Sequence, residues 1–150
     1  EAVESFNDVD DSNWYYSVVA SAQSKGIIKG LDDNFNPNEF ITREDMAVIL
    51  FRALNAVHTF EDSSKMELID IELVADYALE AVTKLHQAGV VQGDEGKAFN
   101  PKATSKRAES AQIIYEALKL IDIRWVSSLR LVILLRNLFL RKRIILQKTI

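Results

Sequence analysis

One feature constrains the fold of this chain more than any other: much of it is written twice. Asp8-Val9 matches Asp70-Ile71, and Trp14-Tyr15 matches Tyr77-Ala78. Gly26-Ile27-Ile28-Lys29-Gly30 matches Gly89-Val90-Val91-Gln92-Gly93. Phe35-Asn36-Pro37 matches Phe99-Asn100-Pro101, and Arg43 and Arg107 each follow their proline by six residues. The offset grows from 62 to 63 to 64 along the chain, so two single-residue insertions separate the copies. Ordered agreement of this kind is the signature of a tandem-repeat architecture.

Each copy reads as helix, loop, helix. In the first, Asp11 or Ser12 is expected to cap a helix running to about Lys25, with Tyr15, Val18, Val19 and Ala22 on one face. Gly26 supplies its left-handed stop. A loop from Gly30 to Phe40, rich in Asp, Asn and Pro, leads to Thr42. Thr42 caps a second helix, with Asp45 as a capping-box-like partner. Met46, Ile49, Leu50, Ala53 and Leu54 are its expected buried stripe. In the second copy Ala75, Leu79, Val82 and Leu85 line one helix, and Gly89 stops it. Ala108, Ala111, Ile114, Tyr115 and Leu118 line the next. Residues 57–67 read as a polar, acidic linker. A helix pair this small cannot bury its own stripe, so the copies must stack. The division expected is repeat 1 with its linker over 1–62, a degenerate repeat 2 over 63–120, and a separate tail over 121–150.

Composition narrows the chemistry. The 150 residues include no Cys and two His, which removes disulfide scaffolds, thiolate sites and multi-histidine metal centres. No Ser-His-Asp order, nucleophile elbow or phosphate loop is present, so no enzyme and no cofactor is expected. The loop Asp32-Asp33-Asn34-Phe35-Asn36-Pro37-Asn38 has oxygen donors at calcium-loop spacing. It carries Pro37 where that loop needs glycine and Arg43 where it needs a bidentate Glu, so turn formation explains it better and no metal is expected. His58 and His86 read as solitary polar residues.

The ordered pieces resemble the S-layer homology repeat, whose pattern runs F-x-D-V, W, G-I-I-x-G, F-x-P, T-R-A-E. Here they are Phe6-Asn7-Asp8-Val9, Trp14, Gly26 to Gly30, Phe35-Asn36-Pro37 and Thr42-Arg43-Glu44-Asp45. The second set is Leu68-Ile69-Asp70-Ile71, Tyr77, Gly89 to Gly93, Phe99-Asn100-Pro101 and Lys106-Arg107-Ala108-Glu109. The resemblance implies an all-α fold of tandem helix–loop–helix units, packed as a pseudo-threefold helical prism that two repeats leave incomplete. It also implies a non-catalytic anchor at the bacterial cell wall or S-layer. The implied partner is an anionic, often pyruvylated secondary cell wall polymer, with other S-layer subunits as a second class and no nucleic acid. Carried over residue by residue, the groove would use Arg43 and Arg107, Gly30 and Gly93, and Trp14 with its replacement Tyr77.

Elementary physics supports this assignment and also offers plainer ones. A first-turn arginine beside unpaired N–H groups and a positive helix end suits a carboxylate. Glycines let a backbone approach a ligand. Yet either arginine could equally pair with a neighbouring acid, and Trp14 is more readily a core anchor than a sugar platform. Glu44, where the family has alanine, would compete with an anionic ligand. Lys106 lacks the cap hydroxyl of Thr42, for which Thr104 or Ser105 could substitute.

The tail departs from everything before it. Residues 121–150 hold seven Lys or Arg and one acid, while residues 1–120 carry ten more acids than bases. Arginines interrupt its apolar runs, which argues against a transmembrane helix or a clean membrane-surface helix. It reads as a helix packing where a third repeat would stand, as a basic partner-binding segment, or as an unrelated ending. The chain opens without methionine or a hydrophobic leader, which fits a processed secreted protein or a fragment.

Overall fold

The structure, a computed structural model, describes residues 6–63 and 67–121. Helices carry it: α1 (Tyr16–Ser24), α2 (Arg43–Asn55), α3 (Asp76–Gln87) and α4 (residues 107–121). A one-turn 3-10 helix, Ile71–Leu73, precedes α3. Among the described residues there is no β-strand, only isolated bridges at Leu31–Asn34 and Thr42–Thr104. The chain is all-α, as its duplicated pattern requires. The C-terminal helix expected in the tail lies outside the described residues.

Local chemistry sets the helix ends. Thr42 caps α2, its hydroxyl oxygen accepting from the Asp45 N–H at 3.1 Å while the hydroxyl donates to the Asp45 carboxylate. Gly26 and Gly89, at φ +68° and +76°, end α1 and α3. Beyond each, a 2.9 Å bond closes the turn, Ile27 N–H to Ala22 and Val90 N–H to Leu85. The start of α1 corrects the sequence reading. Neither Asp11 nor Ser12 caps it; it begins at Tyr16, and Tyr15 contributes no side-chain cap. Asp10 instead accepts from the Ser12 N–H at 2.9 Å, and Asn13 accepts from the Asp10 N–H at 3.0 Å. These side chains fold residues 10–13 into a turn that competes with helix.

Both repeats brace their Phe-Asn-Pro loop with one aspartate. The Asp8 carboxylate accepts from the N–H groups of Phe35 (2.8 Å) and Asn36 (2.6 Å). The Asp70 carboxylate accepts from Phe99 and Asn100, each at 2.7 Å. Both asparagines sit at φ +56°. The duplicated Asp, a repeat marker in the sequence, is therefore the pin of each loop.

Packing crosses the sequence repeat. The main core joins Ala47, Val48 and Leu54 of α2 to Ala78, Ala81, Val82 and Leu85 of α3, with Val90, Val91 and Phe99 beneath. Ile113 and Ala117 of α4 close it. A smaller cluster of Phe6, Val9 and Val19, with Tyr15, Tyr16, Ile28 and Phe35, belongs to α1 and its loop. Thus the second helix of repeat 1 is buried by the first helix of repeat 2. The linker is less polar in effect than in composition, since Phe60 packs on Phe51 and His58.

Two expected stripes are rotated. In α2 the buried positions are Glu44, Ala47, Val48 and Leu54, with Met46 and Leu50 only partly covered. In α4 the correction is larger. Ala108, Ala111, Ile114, Tyr115 and Leu118 are all exposed, and Ile113 and Ala117 face the core. Leu79 of α3 is also exposed, while Val82 and Leu85 are fully buried as expected.

Candidate functional site

The candidate residues concentrate where the N-terminus of α2 meets the loop of repeat 2. The Arg43 N–H donates to the Ala103 carbonyl (2.9 Å) and the Glu44 N–H to that of Pro101 (3.1 Å). The Thr42 hydroxyl takes the Asp45 N–H. The first-turn donors expected to await a carboxylate are therefore occupied, two by the neighbouring repeat and one by Thr42.

Arg43 is sequestered in the same junction. Its Nε donates to the Phe99 carbonyl at 2.6 Å, and its Nη1 pairs with Glu109 at 2.8 Å. The guanidinium lies 5.1 Å from the Phe99 ring centre, and only 11% of the side chain is exposed. Glu109 is doubly used. The Lys106 N–H, at 3.0 Å, and then the nearby Arg43 hold its carboxyl below the usual carboxylate range. Glu109 thus reaches back to the N–H of Lys106, just before α4, as the carboxylate half of a capping box does, which is not the hydroxyl cap expected of Thr104 or Ser105. The Ser105 hydroxyl instead faces that of Ser110. Arg43 thus makes an ion pair with a neighbouring acid, Glu109 of the other repeat.

Glu44 is not a free competitor for ligand. It is 2% exposed and accepts from the Ala75 N–H (3.1 Å), the Tyr77 hydroxyl (3.1 Å) and Lys102. It caps the approach to α3 from the other repeat. The Tyr77 hydroxyl is shared with Asp45 at 2.7 Å. Burial and these two carboxylates raise its pKa, so it remains a donor. Arg43 and Tyr77 are brought to one junction, as carriers of structure. From sequence, Glu44 stands out only as a competitor for ligand, and Lys102, Glu109 and the two aspartates show no role in holding the junction and loops. The partners of Glu44 lie in the other repeat, which local sequence does not disclose.

The other candidates differ. Arg107 is exposed, and among the described residues its side chain has neither ion pair nor hydrogen bond. Trp14 is 90% exposed and meets Tyr15 edge-on at 5.4 Å, so it is no core anchor. The glycines are approached by their own chain. A Cβ on Gly30 would run into the Phe6 ring and the Asn34 carbonyl, and one on Gly93 into the Lys97 backbone. An open depression lined by Phe6, Asp8, Asp10, Asp11 and Tyr16 lies beside α1. Hydrogen bonds from Ser12 keep Asp10 readily ionised, which makes this depression hostile to an anion. Among the described residues no cluster of three His, Cys, Asp or Glu could hold a metal, and no helix is long and apolar enough to cross a membrane.

A fold of stacked helix–loop–helix units, with an aspartate pinning each loop and Arg43 crossing the junction between them, defines a helical repeat module. A sequence model of the S-layer homology domain matches residues 5–47 and 70–111. The chain belongs to the S-layer homology domain family. Over 116 residues it is 33% identical to the exoglucanase XynX of Acetivibrio thermocellus, covering 76% of this chain and 11% of that protein. Over another 116 it is 34% identical to an amylopullulanase of Thermoanaerobacterium thermosulfurigenes, covering 76% and 6%. Cell surface glycoprotein 1 of A. thermocellus is 31% identical over 126 residues, covering 79% and 5%. The chain therefore spans only a small part of the length of these relatives.

Proposed function

We propose that this chain is a non-catalytic anchor that holds its carrier at the bacterial cell surface by binding an anionic secondary cell wall polysaccharide. Differently named enzymes and a cell surface glycoprotein share this segment with the chain. A segment shared by enzymes of different names and by a cell surface glycoprotein serves none of their separate chemistries, and attachment is a role that suits all of them. Attachment of a larger secreted enzyme or of an S-layer subunit is the same role with a different carrier.

The observation that carries the ligand reading is the contrast between the two arginines. Arg43 is neutralised by Glu109, whereas Arg107 is exposed and unpaired at the positive end of α4, beside Lys106. A carboxylate such as a pyruvate ketal suits that fork. Trp14 offers an uncovered ring for sugar stacking. Arg43, Tyr77, Gly30 and Gly93 serve this reading by holding the junction and the loops in place.

Sedimentation with purified sacculi tests this. The chain should pellet with intact sacculi and stay soluble when the non-peptidoglycan polymer has been stripped. Arg107→Ala should weaken binding about tenfold with unchanged unfolding, the size of one charge-assisted contact. Equal binding to stripped sacculi, or an Arg107→Ala variant that binds like the parent, would sink the reading.

A further inference from the structure

We infer that α4 carries a docking face for repeat 1 of a second copy of this chain, joined head to tail through the same junction that joins repeats 1 and 2. Duplication lets each position be compared with its counterpart. On α2, the face containing Glu44, Ala47, Val48 and Leu54 is buried against α3 and the loop that follows it. The counterparts on α4, 64 residues on, are Ala108, Ala111, Gln112 and Leu118, and all are exposed. Tyr115, the counterpart of half-buried Phe51, is exposed as well. The backbone repeats the pattern. Arg43 and Glu44 donate their N–H groups to Ala103 and Pro101. Arg107 and Ala108 have no such acceptors among the described residues.

Repeat 1 carries the matching half. Its Trp14 and Val18 occupy the register of Tyr77 and Ala81 in α3, and both are exposed. Its loop carbonyls at Phe35, Pro37 and Glu39 correspond to those of Phe99, Pro101 and Ala103, the acceptors at the internal junction. The side-chain chemistry changes in step on the two sides. Buried Glu44 is held by the Tyr77 hydroxyl and Lys102. At the open junction an alanine, Ala108, stands in its place, and it needs neither partner. Repeat 1 offers neither: it has Trp14 for the tyrosine and Asn38 for the lysine. An indole against a methyl group replaces a hydroxyl against a carboxylate. The basic pair Lys106 and Arg107 would also meet the acidic body of repeat 1. Such a contact is heterologous, so it either closes a ring or continues as a strand of copies. Arg107 would be held as Arg43 is, so a docked copy and an anionic glycan compete for it.

Analytical ultracentrifugation of the full chain without glycan tests the inference. Concentration-dependent association is expected by on the order of 100 μM. Leu118→Glu and Val18→Glu each alter an exposed side chain on one half only, and each alone should be monomeric. Mixed, the two variants should form a 1:1 dimer, because one supplies an intact α1 half and the other an intact α4 half. A parent chain that stays monomeric, with the α4 face covered from within the same chain, would overturn the inference. So would association that survives either substitution, or two variants that do not complement each other. Run well below the association range, where copies are undocked and Arg107 is free, the sacculus experiment reads glycan binding alone, so failure of either proposal is seen separately.

Discussion

Asp70 and Asp8 perform one task at two depths. Each carboxylate takes two consecutive backbone N–H groups and so fixes an asparagine at positive φ. Asp70 is buried against Phe99, and its removal strands two donors where water cannot replace the lost acceptor. Asp70→Ala should lower unfolding stability by about 3 kcal/mol in urea titrations. Asp8→Ala should cost less, because water can reach its site. Acid adds a second test. Hydrogen bonds from the Phe35 and Asn36 N–H groups depress the pKa of Asp8, and the Lys106 N–H with Arg43 depresses that of Glu109. A carboxyl depressed on folding stabilises the native state fully above its unfolded pKa and ceases to do so as pH falls through the folded value. The urea midpoint should therefore hold near neutrality and fall as the solution is acidified below about pH 4. In Glu109→Gln that fall should be shallower. A midpoint flat to about pH 2 would contradict these pairings.

At the scale of the element, the decisive unit is a helix face, and faces explain what the sequence disclosed and what it hid. Repeat order, the caps at Thr42 and the stops at Gly26 and Gly89 were legible, because each depends on residues within one turn of the chain. Which stripe of α4 is buried was not legible. Apolar residues line two sides of that helix, Ile113 and Ala117 on one and Ala111, Tyr115 and Leu118 on the other. Periodicity finds apolar positions, and only a neighbour decides which are covered. The fate of Arg43 was hidden for the same reason, since its partners Phe99 and Glu109 lie in the other repeat. The α2–α3 junction offers a direct measurement. Tyr77→Phe deletes the hydroxyl shared by Glu44 and Asp45 and leaves a buried carboxylate one donor short. A loss of about 1–2 kcal/mol is expected in chemical denaturation. It should largely vanish in a Glu44→Ala background, where that carboxylate is gone. An undiminished loss there would show that Tyr77 acts through something other than Glu44.

The whole molecule is built unevenly, and the unevenness should be visible in its opening. Among the described residues the main core gathers fourteen buried ones from α2, α3, α4 and the intervening loops. The cluster under α1 has three, Phe6, Val9 and Val19. Buried apolar area sets resistance to opening, so the α1 segment should open without unfolding α2 and α3. The aspartate pin at Asp8 restrains the loop after α1 but does not tie α1 to the larger core. Native-state hydrogen exchange should give amides in Val19–Ser24 a lower opening energy and a weaker denaturant dependence than amides in Val82–Gln87. Two substitutions locate the boundary. Val19→Ala, worth about 2 kcal/mol, should speed exchange in α1 and leave α3 unchanged. Leu85→Ala, in the fully buried centre of the larger core, should cost about 3 kcal/mol and lower α3 protection directly. Because global unfolding also opens α1, that loss reaches α1 only once global stability falls to the level of its local opening. If both helices shared one opening energy and one denaturant slope, the clusters would be a single cooperative unit. Repeat 1 would then be held by more than its own three-residue core. A helix that opens alone while its loop stays pinned is, in turn, what a docked neighbour at Trp14 and Val18 would stabilise. α1 protection should therefore rise with protein concentration in the parent chain and not in Val18→Glu.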